Sequence, residues 1–284
     1  MIQDKMPLVV EHLLARKNKS VPIGDGRKIS LVLFGGVMVG VRGAGALVAL
    51  EELGLSRAFD EIYTMSSGFI NASAFLGGQI KKAAETYYKK LSGRKFLNFF
   101  RLWKIADMEY LLKVVDEEKL DFKTILQGKT KLQNMFINLS KDGRTEYLEV
   151  HDFREAEYRS LLEASLCLKY IAGGKIKIRG SYYRDIVADR AVADFFEHVL
   201  NSGATDVLVI YNYSWQTDYI RENFSKLDNQ KVCEVSPDFD TIKSEFWQKM
   251  ERFETRSAVL KNDCQMFAGQ VKNLFGSSEP IKLL

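Results

Sequence analysis

The sequence predicts an α/β fold in which helices flank a central, mostly parallel sheet and a long C-terminal helix follows. Two observations carry this prediction. Strands of buried type alternate with helices in the order strand, turn, helix, which is the pattern of parallel sheets. After residue 236 this alternation stops, and one helical pattern continues towards the end of the sequence.

Length and composition indicate a globular protein. The chain has 284 residues, of which 46% are hydrophobic and 27% charged, which excludes a disordered or collagen-like chain. The net charge of +4 is too small to imply nucleic acid. Cys167, Cys233 and Cys264 are widely spaced and form no CxxC pair, which disfavours disulfides and zinc and fits a reducing, cytoplasmic compartment. The longest apolar stretch, from residue 31 to 41, is too short for a membrane helix.

The elements follow from the apolar periodicity and the turn residues. Up to residue 76 we expect a helix at 5–16, a turn at 21–28, a strand at 29–34, a helix ending at Gly54, a strand at 59–64, a turn at 65–68 and a helix at 69–76. Beyond it we expect strands at 134–140, 145–150, 175–180 and 206–211, and helices at 79–91, 107–115, 155–164 and 189–202. The chain then divides into a helical extension (1–28), an α/β domain (29–236) and an amphipathic helix (237–284).

The C-terminal pattern has apolar residues at steps of three or four from Phe239 to Leu274. One face of such a helix is apolar over about ten turns. Two alternatives follow from this face. It packs across the body of the same chain, or it pairs with a partner helix, including that of a second copy of the chain.

Two glycine-rich turns follow the first two strands. The first, Gly35–Gly40, has neither the GxGxxG spacing of a dinucleotide site nor the lysine of a P-loop. The second places Ser66 between a strand and a helix, which is the arrangement of a nucleophile elbow. Backbone amides in such turns can hold the oxyanion that forms when a serine attacks an ester. The alternative is that Ser66 only caps the helix, as in a phosphate-binding α/β protein.

The run LVLFGGVMVGVRGAGALVALEELGL…FDEIYTMSSGFINASAFLGG resembles the patatin-like phospholipase family. The resemblance spans about residues 29–212 and implies a three-layer patatin-like fold. It places the nucleophile at Ser66 and the general base at Asp185, which follows Tyr183-Arg184 as in the family's aspartate motif. It implies that Thr64, Ser67 and Gly68 complete the elbow and that Gly35, Gly36 and Val37 form the oxyanion hole, with the amides of Gly36 and Val37 as donors.

The implied function is hydrolysis of acyl esters of phospholipids or lysophospholipids by a Ser–Asp dyad. Such a dyad needs no metal, cofactor or histidine, and His12, His151 and His198 lie away from the motifs. Asp189 is the alternative base, one helical turn after Asp185.

Several positions depart from the family pattern. Thr64 and Ile186 stand where the family has glycines, Val37 interrupts the glycine run, and Val39 replaces an arginine. The second hypothesis is therefore a catalytically inactive patatin-like protein that binds lipid or acts as a scaffold.

Residues 79–105 carry eight basic side chains and one acidic side chain, interleaved with aromatic residues. This mixture is typical of a surface that contacts an anionic membrane. The alternatives are a solvated helix face with core aromatics and, less favoured, binding of single-stranded nucleic acid. We expect a lipid substrate, no nucleic-acid partner and peripheral contact with a membrane through Lys95, Phe96, Phe99, Phe100, Arg101, Trp103 and Lys104.

Overall fold

The computed structural model describes residues 6–98, 100–101, 105–168, 174–186, 192–213, 231–237 and 250–276. The helices are α1 (Leu8–Ala15), α2 (Gly40–Glu52), α3 (Ser67–Leu76), α4 (Ile80–Lys89), α5 (Met108–Glu118), α6 (Phe122–Gln127), α7 (Glu155–Leu166), α8 (Val192–Asn201) and α9 (Ser257–Leu274). The strands are β1 (Ile29–Leu33), β2 (Glu61–Thr64), β3 (Lys131–Asn138), β4 (Arg144–Glu149), β5 (Ile176–Ile178), β6 (Ser181–Arg184), β7 (Asp206–Ile210) and β8 (Val232–Val235).

These strands form one sheet in the order β5-β6-β3-β2-β1-β7-β8, with β4 paired to β3. In the sheet, the adjacent strands β3, β2, β1, β7 and β8 run parallel to one another. The pairs β3–β4, β3–β6 and β5–β6 are antiparallel. Every residue of β1, β2 and β7 is buried, as in parallel sheets that are covered on both faces. The carboxyl ends of these three strands lie side by side, and the chain turns there.

Two apolar cores lie on opposite faces of the sheet. Leu31 and Leu33 of β1 point into the core formed with α2, α3, α4 and α9. Val32 and Phe34 point to the other side, where they pack with Phe196 of α8. The α/β fold with a central, mostly parallel sheet, helices on both faces and a C-terminal helix is therefore confirmed.

Helix α9 packs along α2. A Cβ atom on Gly45 of α2 would lie 2.1 Å from the carbonyl oxygen of Cys264, so the close approach of the two helices requires glycine. The side chains of α9 that face this contact are fully buried; they are Leu260, Cys264, Phe267 and Val271. The apolar face of α9 is thus occupied within the chain, which favours packing across the body over pairing with a partner helix.

The C-terminal pattern is not one continuous helix. The part of it at 239–249 lies outside the described residues, and the chain at 252–256 is not helical. There the carbonyl of Thr255 accepts the N–H of Gly93 (2.8 Å), and the Glu254 carboxylate accepts the N–H of Arg256 (2.7 Å). Arg256 is extended, so α9 begins only at Ser257.

The single strand expected at 175–180 is a hairpin instead. Arg179 and Gly180 have φ of 46° and 87°, and this turn separates β5 from β6. Strand β6 pairs with the end of β3 and carries the chain to Asp185. Helix α6 and strand β8 were not predicted, because each is short and lacks a clear period.

Candidate active site

Three turns meet at the carboxyl edge of the sheet. Leu33 is in register with Thr64 on one side and with Ile210 on the other. The turn after β1, the turn after β2 and the residues after β7 are therefore neighbours. Ligands of open α/β sheets bind in the crevice at this edge, so the two glycine-rich turns that the sequence singled out lie where a site is expected.

Ser66 adopts a strained backbone conformation between β2 and α3, with φ 54° and ψ −134°. A non-glycine residue with positive φ is held against its own preference, at a cost of about 1–3 kcal/mol. Ser66 occupies the N-cap position of α3, but its hydroxyl accepts no hydrogen bond from the helix. The helix-cap alternative is therefore not what the geometry shows. Ser66 instead lines a cavity.

Gly35 makes room for this turn. A Cβ atom on Gly35 would lie 2.4 Å from the Cβ of Ser66 and 2.8 Å from the carbonyl oxygen of Met65. Any side chain at residue 35 would displace the serine, so the glycine turn after β1 is shaped to the elbow after β2. Gly68 closes the elbow by donating its N–H to Met65 O (3.0 Å).

Gly36 and Val37, which were expected in the oxyanion hole together with Gly35, differ in whether their N–H groups are engaged. The Gly36 N–H donates to the Ser67 hydroxyl (3.0 Å), so this amide, which we expected to be an oxyanion donor, is engaged within the protein. Val37 has φ 55° and lies beside Ser66 at the cavity wall. The N–H groups of Val37 and Ser67 find no acceptor among the described residues.

Asp185 is fully buried directly after β6. Its Oδ1 accepts the N–H of Ile186 (2.8 Å), and its own N–H donates to Cys167 O (3.2 Å). Burial raises the pKa of Asp185 to about 8, because the carboxylate is deprived of water, and the Ser66 hydroxyl and the Ile186 N–H partly oppose this shift. Oδ2 has no hydrogen bond of regular geometry, so the interaction with Ser66 is a loose one.

The structure thus brings Ser66 and Asp185 together, although 119 positions separate them in the sequence. A serine beside a buried carboxyl group with a raised pKa is an arrangement that can serve as a nucleophile with its base. In proteins without bound substrate such contacts are often long and tighten when substrate binds. Asp189, the alternative base, lies outside the described residues.

Thr64 and Ile186, which stand where the patatin-like pattern has glycines, are both held by neighbouring elements. The Thr64 hydroxyl lies 2.9 Å from both Gln133 O and Asn134 Oδ1 on β3 and can donate its one proton to either. Ile186 packs in the core beneath α8. The Thr64 hydroxyl is thus held by the neighbouring strand.

None of the three histidines belongs to this site. His12 contacts Asp206 (2.7 Å), His151 contacts Gly128 O (3.1 Å), and His198 contacts Gln133 Oε1 (2.9 Å). None of these partners is Ser66 or Asp185. Among the described residues, no group of three or more His, Cys, Asp or Glu side chains could hold a metal ion.

An apolar cavity extends from Ser66 between α3, α4 and α5. It encloses about 930 Å³ of empty space, part of which is open to solvent. Most of its walls are aliphatic or aromatic, including Ile70, Ala74, Leu91, Phe96, Leu111, Val114 and Leu166. At the α4–α5 border the lining turns polar, where Lys82 pairs with Glu118 (2.9 Å). The cavity thus extends from Ser66 as a mainly apolar space.

Residues 79–105, the basic aromatic segment, lie partly at the surface and partly in the core. Lys95 is exposed and Phe100 is 79% exposed, whereas Arg101 pairs with Asp107 (3.0 Å). Phe96 is only 5% exposed and lines the cavity, so its assignment as a membrane contact is wrong. Its ring belongs to the main core. Phe99, Trp103 and Lys104 lie outside the described residues.

Much of the segment's positive charge is paired. Lys89 contacts Glu85 (2.8 Å), and Lys90 contacts both Glu117 (3.2 Å) and Glu118 (2.6 Å) of α5. The acids come partly from outside the segment, so counting charges along the chain overstated the free charge on this face. Within the described ranges, no helix has both the length and the hydropathy that crossing a bilayer requires.

Two residues that hold the glycine turn from outside, Asn212 and Arg42, were not predicted to belong to the site. A signal for Arg42 exists in the sequence, since it is the one charged residue between Gly35 and Leu50. Asn212 follows a buried strand, but nothing in a single sequence shows that this strand lies beside β1.

Fold and site together define an α/β protein with a serine at a strained strand–helix turn beside a buried carboxyl group. No protein-family model and no curated protein sequence matches the chain. Among solved structures, the type III effector protein ExoU matches with a TM-score of 0.36 and 12% identity over 85% of this chain and 53% of that one. VipD from Legionella pneumophila matches with a TM-score of 0.36 and 9% identity over 86% of this chain and 67% of that one. The chain thus spans about half the length of the ExoU chain that it matches. Matches of this strength do not bear on what the chain binds or does.

Proposed function

We propose that the chain hydrolyses acyl esters of lipids, with Ser66 as the nucleophile and Asp185 as the general base. One observation carries the proposal: Ser66 stands at positive φ on the strand–helix turn and interacts with the buried Asp185 carboxyl. Strain at a polar residue beside a group with a shifted pKa is typical of catalytic sites. The motif resemblance to patatin-like phospholipases supports the same assignment.

The proposed reaction has two steps. The Asp185 carboxylate takes the proton of Ser66 Oγ while Oγ bonds to the ester carbonyl carbon, and the C=O electron pair moves to the oxygen. As the carbonyl re-forms, the ester C–O bond breaks and the leaving alcohol receives the proton from Asp185. Water then attacks the acyl carbon while Asp185 takes its proton. As the bond between the acyl carbon and Ser66 Oγ breaks, Oγ regains the proton from Asp185 and the carboxylic acid is released.

The donors we assign to the oxyanion are the N–H groups of Val37 and Ser67. Neither N–H has an acceptor among the described residues, and both belong to turns that adjoin Ser66. The start of α3 adds the positive end of a helix dipole. Gly36 acts indirectly in this proposal, since its N–H holds the Ser67 hydroxyl.

The acyl chain of the substrate is proposed to enter the apolar cavity. The walls offer few polar partners, which suits a hydrocarbon and disfavours a polar acyl group. Hydrolysis of phospholipid or lysophospholipid vesicles, followed by the release of fatty acid, tests the proposal. Release by the wild-type chain and none by Ser66→Ala supports it, whereas equal release by both refutes it.

Filling the cavity is expected to shorten the acyl chain that the protein accepts. Ala83 lines the cavity from α4, and Ala83→Phe places a ring in that space. Each excluded methylene loses about 0.8 kcal/mol, so two cost about tenfold in kcat/KM. A series of esters of increasing chain length measures this. Short-chain esters are the internal control, and an equal loss at all lengths would contradict an acyl site in this cavity.

A lipid-binding protein without catalysis is the second candidate. Two observations favour it: Oδ2 of Asp185 lacks a regular hydrogen bond, and the Gly36 N–H is already engaged. Such a protein binds lipid equally well before and after Ser66→Ala and releases no fatty acid. The vesicle assay separates the two candidates.

Arg94, Lys95 and Phe100 are proposed to contact an anionic membrane. Arg94 lies over the exposed ring of Phe100 (5.5 Å), and Lys95 is exposed beside them. A ring flanked by cations fits the headgroup region of anionic bilayers. A protein held there reaches a lipid substrate from one side of the membrane.

Binding to vesicles is expected to rise with the fraction of anionic lipid and to fall with salt, because exposed charges are screened beyond about 8 Å at physiological ionic strength. The pair of changes Arg94→Glu and Lys95→Glu is expected to weaken co-sedimentation, since each cation near the surface contributes about 1 kcal/mol. Lys261→Glu, an exposed lysine of α9, is the matched control. An equal effect of the control and the pair would contradict this contact.

A further inference from the structure

The glycine turn after β1 is held in place by side chains that lie outside it. The Asn212 side chain donates from Nδ2 to the carbonyls of Phe34 (2.8 Å) and Gly35 (3.0 Å). Its Oδ1 accepts the N–H of Gly43 in α2 (3.0 Å). One fully buried amide thus joins the turn to the helix that follows it and fixes the position of Gly35 against Ser66.

Arg42 secures this arrangement from the α2 side. Arg42 is 3% exposed, and its guanidinium donates to acceptors from three different parts of the chain. Nη1 donates to Asn212 O (2.7 Å), Nη2 to Glu251 Oε2 (2.9 Å), and Nε to Asp263 Oδ2 of α9 (2.8 Å). A planar guanidinium can satisfy three fixed acceptors at once, which the ammonium of lysine cannot match in geometry.

The segment that Arg42 ties down touches the glycine turn directly. Glu251 precedes Arg252, whose carbonyl accepts the N–H of Met38 (3.2 Å). Met38 belongs to the 3-10 turn that starts at Val37. Residues 250–256 are therefore an outer wall of the turn that presents the Val37 amide.

We propose that Arg42 is a positioning residue: it clamps Asn212 and the segment 250–256 so that the turn at 34–38 stays aligned with Ser66. The C-terminal part of the chain is then a component of the hydrolytic site, although it lies outside the sheet. The catalytic consequence rests on the proposed function, whereas the ordering of the turn does not. A misplacement of about 1 Å at such a site lowers the rate about 10²-fold.

The chain contains a matched control for this proposal. Lys272 of α9 is 5% exposed and pairs with Glu52 of α2 (2.6 Å). This pair joins the same two helices as Arg42 and Asp263, but at the far end of α2 from the glycine turn. Loss of either pair weakens the α2–α9 contact. We expect the loss of Arg42, but not the loss of Lys272, to loosen the turn at 34–38.

The test compares Arg42→Gln with Lys272→Gln in the full chain. Hydrogen exchange, followed by mass spectrometry of peptides that cover 34–40, is expected to quicken about tenfold or more in Arg42→Gln and to stay unchanged in Lys272→Gln. With lipid esters, Arg42→Gln is expected to lower kcat about 10²-fold and to leave KM within about threefold. Arg42→Lys is expected to recover part of kcat, and Glu251→Gln to give an intermediate loss.

Equal exchange at 34–40 in the two glutamine variants overturns the proposal, because Arg42 then only stabilises the fold. If Arg42→Gln does not fold, Glu251→Gln is compared with Lys272→Gln instead. Unchanged hydrogen exchange at 34–40 in Glu251→Gln would then overturn the proposal. If the wild-type chain hydrolyses no ester, the proposed function fails. The exchange data then still decide whether Arg42 orders the turn.

Discussion

Replacing Ser66 by alanine is expected to abolish ester hydrolysis. The alanine keeps the backbone but removes the only atom that is proposed to bond to the acyl carbon. Loss of a serine nucleophile lowers kcat by about 10⁴-fold or more, because the remaining groups only bind and polarise the ester. The release of fatty acid from a lysophospholipid, followed over time, measures the effect.

A second serine of α3 supplies the control for this experiment. Ser73 is buried and donates to Phe69 O (2.6 Å), but it does not line the cavity. Ser73→Ala is therefore expected to keep turnover within about threefold while costing about 1 kcal/mol of stability. Ser67→Ala releases the Gly36 N–H and is expected to have a smaller effect than Ser66→Ala. If Ser67→Ala is the variant that abolishes activity, the nucleophile is assigned wrongly.

The strained backbone at Ser66 is expected to lower the stability of the folded chain. Glycine adopts positive φ without strain, so Ser66→Gly is expected to raise the free energy of unfolding by about 1 kcal/mol, whereas Ser66→Ala keeps the strain. Thermal unfolding of the three chains measures this difference. Equal melting temperatures for the alanine and glycine variants would show that the turn stores no strain.

Replacing Asp185 by asparagine is expected to lower kcat by about 10²–10⁴-fold, which is the scale of a general base. The amide cannot accept the Ser66 proton. Replacing His12, His151 and His198 together is the control, and it is expected to leave most of the turnover. A loss of about 10²-fold in the triple-histidine chain would contradict a dyad.

Asp185→Asn is also expected to change how stability depends on pH. The pKa of Asp185 in the folded chain is about 8, above its value of about 4 in the unfolded chain. The unfolded chain therefore releases this proton first, and the contribution of Asp185 to stability falls as the pH rises from about 4 to about 8. Relative to wild type, Asp185→Asn is expected to be increasingly stable over this range, by up to about 1.4 kcal/mol per pH unit, and to keep a constant advantage above it.

Denaturant unfolding of both chains at several pH values measures this difference. A constant difference between the two chains from about pH 4 to about pH 8 would mean that burial does not raise the pKa of Asp185.

Much of the fold could be predicted from local patterns. The strand at 29–33 follows from a run of apolar residues, and the start of the helix at 40–52 follows from the glycines that mark the turn before it. The position of β6 could not be predicted, because the turn at Arg179 requires a positive φ at a residue that rarely adopts it. The break before α9 was missed for a different reason: the apolar period continues through Phe253, and a tertiary contact of Thr255 interrupts the helix.

Of the site residues, some follow from sequence patterns and others depend on tertiary contacts. Ser66 follows from the strand–turn–helix pattern, and the motif resemblance leads to Asp185. The engaged Gly36 amide could not be foreseen, because it depends on which side of the turn the Ser67 hydroxyl lies. Asn212 and Arg42 act on the turn through strand order and helix packing, neither of which is encoded in local spacing.

Covalent labelling by a fluorophosphonate tests whether Asp185 activates Ser66, since the probe bonds to an activated serine without a lipid substrate. We expect one adduct, located at Ser66 by mass spectrometry. The labelling rate is expected to rise with pH and to level off above the pKa of Asp185, which is about 8. An adduct at another residue, no adduct in the folded wild-type chain, or a rate at Ser66 that Asp185→Asn leaves unchanged would contradict this activation.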